Sequence, residues 1–437
     1  MNYKKLLKLI FFFYLLPISL IIGSIIIYVP NSINIISAGF QKDWIEIIGQ
    51  QVKYKKSSYN ELFLPNTQTG KFSYEKIKLK NDLSNNSMAN WGKYKFFINP
   101  YKKNLYTVSS SGKIFMADLD KLVNQKIDNS IPVKNNFDSS FRVLDFIIFD
   151  NKIILSGFKI DEKCSHYNLF ISKLSQTLNF EKVKVSQICG KYANGNGLGG
   201  RIEKYELPKR NGTNILMTIG YEDPIDEIID RDYITFNDNS TSGKIILFNL
   251  NDRSTKIFSR GHRNQIGLLV NDQNMIISTE NGPFGGDEIN RIQQTGNYGW
   301  PVSSYGIYYP PDWNRIINNT PSKLKYSEKY NYKKSHSKYN YIEPIYSFTP
   351  SNGISEIIQV PNDFSEKWVD NYLVASLNGR VLFKMKFNDQ LTGTINIEKL
   401  FIGERIRDIA YDPEHKTFLL ALEESGSIGL LSSLKSK

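Results

Sequence analysis

The sequence predicts an all-β fold built from small repeated antiparallel sheets, and two observations carry that prediction. Among 437 residues, 26 Tyr and 26 Phe stand against only 29 Gly, an aromatic loading that favours strands over helices. One figure also recurs along the chain: an apolar strand, a short polar turn, and a second apolar strand closing near Asp or Asn. Length alone does not choose between one large core and two domains.

The chain opens with a basic segment, residues 1–8, carrying Lys4, Lys5 and Lys8. Residues 9–29 come next as 21 residues without a charge, enough for a helix across a bilayer core of about 30 Å. The preceding lysines keep the amino terminus in the cytoplasm and send the rest across. The expectation is one transmembrane helix, a lipid bilayer as partner, and an inner-membrane, single-pass protein with its body in the periplasm. A cleaved signal peptide ending near Ser37-Ala38-Gly39 is the alternative. Residues 30–90 read as a polar stalk and approach segment.

From residue 91 to 437 the two-strand figure occurs six times, in 104–120, 151–174, 214–252, 274–292, 371–389 and 416–431. A β-propeller accounts for this economically, because each small sheet buries its faces against neighbouring blades and the ring leaves only short edges. Two packed β-sandwiches are the alternative. The longest interval holds a Lys/Tyr-rich insertion, 311–344, read as a solvated loop or as a contact surface.

Net charge is +12, with 55 Lys plus Arg against 43 Asp plus Glu. The basic residues are scattered, and no finger, recognition helix or arginine-rich arm accompanies them, so nucleic acid is not expected as a partner. Cys164 and Cys189 form neither a disulfide framework nor a metal signature, and pairing or two buried thiols both remain open. The four histidines, His166, His262, His336 and His415, have no zinc-site spacing. Of these, His166, His336 and His415 read as loop or surface residues.

Several ordered motifs carry a family resemblance: SRGHRNQIGLLV (259–270), TENGPFGGDEINRI (279–292), GNYGWPVSSYG (296–306), GLGGRI (197–202) and GERIRDI (403–409). Together they resemble the soluble pyrroloquinoline-quinone (PQQ)-dependent glucose, sorbosone and aldose dehydrogenases. The resemblance implies a six-bladed β-propeller of four-stranded antiparallel blades, with PQQ and Ca²⁺ as cofactors. It also implies oxidation of a sugar or related alcohol, a histidine taking the hydroxyl proton. PQQ bears carboxylates, which suit arginine forks and a hard cation. Carried over by position, Arg263, Asn264, Arg405 and Arg407 are the cofactor-binding candidates; Arg405 and Arg407, two apart, share one strand face. Gly282 and Pro283 match a Gly-Pro pair whose carbonyls hold calcium, with Glu288, Glu280 and Asp287 as further oxygen donors. Trp300 and Tyr298 frame the pocket floor.

The departures fall on catalytic positions. In RVLDFIIFDN (142–151), Phe149 takes the place of the family's histidine, with Asp145 and Asp150 the nearby acids. Leu198 precedes the Gly-Gly-Arg step where a second histidine is usual, Ile266 stands in the Arg-Asn-x-Gln-Gly pattern, and Asn378 replaces a cofactor-facing lysine. His262 is the one remaining candidate base. Two functions are compatible with this pattern. The first is a membrane-anchored periplasmic PQQ-dependent oxidoreductase passing electrons to a membrane quinone or cytochrome. The second is a catalytically silent propeller that binds a glycan, an anionic metabolite or an envelope protein.

Overall fold

The structure is a computed structural model; it describes residues 72–81, 83, 94–161, 164–189, 197–207, 213–221, 235–283, 285–306 and 333–433. All of these belong to one compact unit, Asn60–Pro311 with Lys323–Lys437; the other unit, Met1–Tyr59 with Asp312–Ser322, lies outside the described residues.

The described residues form six four-stranded antiparallel sheets, the blades of a propeller. Their inner strands are Phe96–Tyr101, Arg142–Phe149, Gly199–Tyr205, Gln265–Val270, Ile354–Gln359 and Ile406–Asp412. Each inner strand contacts the next, and the sixth contacts the first, which closes the ring. Within blades 1 to 5 the chain steps outward strand by strand. Blade 6 differs: its outermost strand is Phe72–Lys78, paired antiparallel with Ser427–Ser433. The propeller therefore takes in a strand from the segment expected as a stalk.

The figure repeated in the sequence is the second and third strand of each blade, as in Asn104–Ser109 with Ile114–Asp118 and Asn371–Ser376 with Val381–Phe387. These strands are apolar without alternation because another blade covers each face. Asn214–Ile219, Asn371–Ser376 and Thr417–Leu422 are buried at every position. The core accordingly sits between blades rather than at one centre. Blades 5 and 6, for example, enclose Leu373, Leu382, Phe418, Leu420 and Trp368. Cutting one such side chain back, as in Leu420→Ala, costs about 2–5 kcal/mol.

Five of the six inner strands carry a bulge near their start, between 143 and 145, 199 and 202, 265 and 267, 354 and 357, and 406 and 408. A bulge re-aims the side chain it frees from the ladder, and Arg201, Glu356 and Arg407 all lie within these irregularities. Cys164 and Cys189 face each other across two strands of blade 2 and form a disulfide, which selects the pair over two free thiols.

The structure corrects the expected membrane anchor. A span needs roughly 20 apolar helical residues, whereas the one α-helix among the described residues, Leu119–Val123, has 5 residues and starts on an Asp118 cap. No helix among the described residues is long and apolar enough to cross a membrane. The segment 9–29, to which the helix was assigned, lies outside the described residues. Membrane anchoring, the bilayer contact and the inner-membrane location with a periplasmic body are accordingly withdrawn.

Candidate functional site

The inner strands converge where they begin, and a buried arginine marks the convergence. Arg201 of blade 3 reaches Asp145 of blade 2 at 2.9 Å, Glu356 of blade 5 at 3.0 Å and Asp408 of blade 6 at 3.2 Å. Its remaining nitrogens donate to the carbonyls of Ile266 at 2.7 Å and Arg407 at 3.0 Å. The carboxylates also cap buried strand N–H groups: Asp145 accepts from Ile202 N–H at 2.9 Å, and Asp408 from Ile98 N–H at 2.9 Å. Burial pushes Asp145 up to about 6 and Glu356 up to about 8 against the pull of Arg201. Burial works against the Arg201 charge, but Glu356, Asp145 and Asp408 outweigh it and hold its pKa above the usual value.

Nearby, at the mouth of the axis, the balance of charge reverses. Glu423, with a side chain fully buried, is 3.2 Å from Arg405 Nε and 2.6 Å from Arg407 Nε. Burial would raise its pKa, yet Arg407 and Arg405 keep it below the usual carboxylate range. Arg405 Nη1 donates to Asn378 Oδ1 at 2.7 Å. Arg407 directs its Nε at Glu423 and has no other side-chain acceptor among the described residues. Lys95, just before the inner strand of blade 1, completes the cluster. Burial, followed by the Arg407 charge, with Arg142 and Arg201 adding to it, pushes its ammonium down to about 7 despite Glu423.

The GHRN turn leads into blade 4. His262 is wholly buried, with Nε2 2.8 Å from Ser259 Oγ and Nδ1 3.1 Å from Glu280 Oε2, and it stacks on Tyr298. A base so enclosed cannot meet a substrate. Arg263 donates its N–H to Glu280 and, through Nη1, bonds the carbonyls of Asn281 at 2.9 Å and Gly282 at 2.8 Å. Its guanidinium lies over Trp300. Asn264 accepts from Gly199 N–H at 3.2 Å, joining blades 3 and 4. Gln265 is buried, and neither amide atom has a partner among the described residues, a gap of the kind that ordered water or a ligand fills.

The expected calcium donors are placed differently. Gly282 is required by shape, since a Cβ there would lie 2.3 Å from the Gly286 carbonyl. Asp287 is consumed by Ser351 Oγ at 2.6 Å and by the N–H groups of Gly353 at 2.7 Å and Asn352 at 2.9 Å. Glu288 lies 3.2 Å from His336 Nε2, and His336, expected at the surface, is 1% exposed under Tyr305. The space between Arg263, Glu280, Glu288 and Trp300 is about 10 Å³, room for about one water. Ca²⁺ requires 6–8 oxygen ligands, and these residues as arranged do not fit it. The mouth, with Arg405 and Arg407 beside Lys95, does fit a carboxylate-bearing group such as PQQ.

Phe149 stands at the far end of the inner strand that begins with Arg142, against the Lys204 ammonium. It is away from the mouth, so its lack of a proton acceptor has no bearing on chemistry there. Sequence reasoning missed Lys95, Arg142, Glu356, Asp408 and Glu423. One signal was present: a lone charge, Glu356, interrupts the strand ISEIIQ (354–359), and an Arg-Asp pair follows Ile406 in IRDIAYD (406–412).

The family described as Glucose / Sorbosone dehydrogenase matches residues 238–430. The chain is 29% identical over 182 residues to aldose sugar dehydrogenase YliI of Escherichia coli (strain K12), covering 40% of this chain and 43% of that protein. It is 35% identical over 91 residues to quinoprotein glucose dehydrogenase B of Acinetobacter calcoaceticus, covering 18% of each. The match thus spans less than half the length of these curated relatives. Among solved structures, a glucose dehydrogenase superposes with a TM-score of 0.60 at 19% identity, covering 83% of this chain and 99% of that one. The apo form of the soluble aldose sugar dehydrogenase from Escherichia coli gives 0.58 at 18% identity, covering 83% of this chain and 100% of that one. Motifs in order, a ring of six blades and these likenesses agree: the chain is a six-bladed β-propeller matching the PQQ glucose/sorbosone/aldose dehydrogenase family.

Proposed function

We propose that this propeller binds PQQ at the mouth of its axis and oxidises a sugar or related alcohol there. The observation that carries the reading is the cluster of Lys95, Arg405 and Arg407 around the single buried carboxylate of Glu423. One carboxylate does not balance two guanidiniums, and the surplus suits a carboxylate-bearing ligand. The chemistry PQQ supplies when bound is acceptance of a hydride from an alcohol carbon. Glu423 fixes both guanidiniums by their Nε atoms, and Asn378 turns Arg405 further, so the fork is oriented before a ligand arrives. In place of a histidine, Lys95 Nζ is the proton acceptor. With its pKa pushed down to about 7, a share of it is neutral at neutral pH, as a general base must be.

The test is calorimetric titration of the full chain with PQQ, followed by an aldose panel with an artificial electron acceptor. Binding with turnover is the expected result. A folded chain that does not bind PQQ would sink the reading. Binding without turnover would favour a second one, a silent propeller holding an anionic metabolite. The burial of His262 and His336 gives that reading its support.

A further inference from the structure

Arg263 sits where a metal ion is expected. Its Nη1 lies 2.9 Å from the Asn281 carbonyl and 2.8 Å from the Gly282 carbonyl, the latter from the Gly-Pro pair read as a calcium seat. Every acidic group of that seat has another duty. Glu280 receives the Arg263 N–H and His262, Asp287 caps the 351–353 turn, and Glu288 faces His336. The guanidinium is itself held, between these carbonyls on one side and the Trp300 ring on the other. A divalent ion arriving at the Gly282 carbonyl would meet this fixed positive charge within a few ångströms and would find no carboxylate to spare.

We propose that Arg263 is the resident cation of this site, so that the mouth takes its carboxylate ligand without a divalent metal. The inference rests on the PQQ reading for the identity of the ligand, but not for the occupation of the seat. A guanidinium differs from Ca²⁺ in a way that matters for binding. It cannot be chelated or exchanged, it carries half the charge, and it offers directed N–H donors in place of an open coordination sphere.

Two measurements on the full chain test this. In the first, PQQ is titrated by calorimetry in EDTA and again in millimolar CaCl₂. The expected affinities agree within about twofold, whereas Arg263→Ala loses about tenfold or more in EDTA and regains part of it with Ca²⁺. A wild-type affinity that rises tenfold with Ca²⁺ overturns the proposal. In the second, CaCl₂ alone is added during thermal unfolding, with no PQQ present. The wild-type midpoint is expected to stay fixed and that of Arg263→Ala to rise. Equal rises in both chains overturn the proposal, as does the absence of any rise in the variant, since the carbonyls would then be no cation seat. Failure of PQQ to bind in either buffer would remove the parent reading alone, and the second measurement would still decide whether Arg263 fills the seat.

Discussion

At the axis one arginine is shared among three carboxylates, while at the mouth one carboxylate is shared between two arginines with a lysine beside them. The same residue types are used to opposite ends. The axial cluster closes on itself: its acids cap the edges of neighbouring blades, and Arg201 spends its nitrogens on acids and carbonyls. The mouth has positive charge left over after every internal contact. Excess acid deep in the ring resolves itself by holding protons. Excess base near solvent resolves itself by holding a ligand.

Substitutions can break this contrast, and the largest effect is expected at the axis. Arg201→Met leaves buried carboxylates without their counter-charge and should cost about 3–5 kcal/mol of stability in denaturant unfolding. A loss under about 1 kcal/mol would mean that the acids are already neutral and the arginine is dispensable. Next comes Lys95→Met, expected to slow sugar oxidation about 100-fold with little change in PQQ affinity. The wild-type rate should climb as pH rises through about 7, where Lys95 Nζ sheds its proton, and the variant should lack that limb. An unchanged pH–rate profile would assign the proton elsewhere.

Arg405→Ala or Arg407→Ala should each weaken PQQ binding about 10–100-fold, as expected for loss of a charge-assisted contact, with stability nearly preserved. If unfolding shifts as far as it does for Arg201→Met, mouth and axis are one structural network and the contrast between them fails. The last effect concerns pH. Glu356 has its pKa raised by burial to about 8 from an ordinary 4.5. Its contribution is therefore full below about 4.5 and is lost as pH rises through 8. Glu356→Gln, which mimics the protonated acid, should remove up to about 2.5 kcal/mol of the alkaline decline between pH 6 and 8.5, read from unfolding curves across that range.

Much of the architecture was legible because the middle strands of each blade are covered on both faces. Segments such as NILMTI (214–219) and TFLLAL (417–422) announce themselves by apolarity alone. The inner strands were visible as strands, but their bulges were not. A bulge is a property of pairing between two strands, and that is where Arg201, Glu356 and Arg407 take their directions. The resemblance assigned Arg405 and Arg407 to the cofactor, and nothing in the sequence revealed Glu423, which lies just past the end of a different strand and holds both. His336 was misjudged for a similar reason. Its neighbours are Lys and Ser, yet one buried glutamate and a backbone carbonyl, Tyr298 O at 3.0 Å, draw it inward from a polar stretch.

The pairing of Phe72–Lys78 with Ser427–Ser433 also sets the order in which the ring can be completed. During synthesis the amino-terminal strand emerges early, while the strand it must join is made only after five other blades have been strung out behind it. Throughout that interval it is an open edge, with unmatched amides and apolar side chains on both faces, Phe72 and Tyr74 on one and Ile77 on the other. A nascent propeller of this design is an unbuckled belt: its last fastening waits until Ser427–Ser433 has been made, and a chain cut short before that strand cannot close.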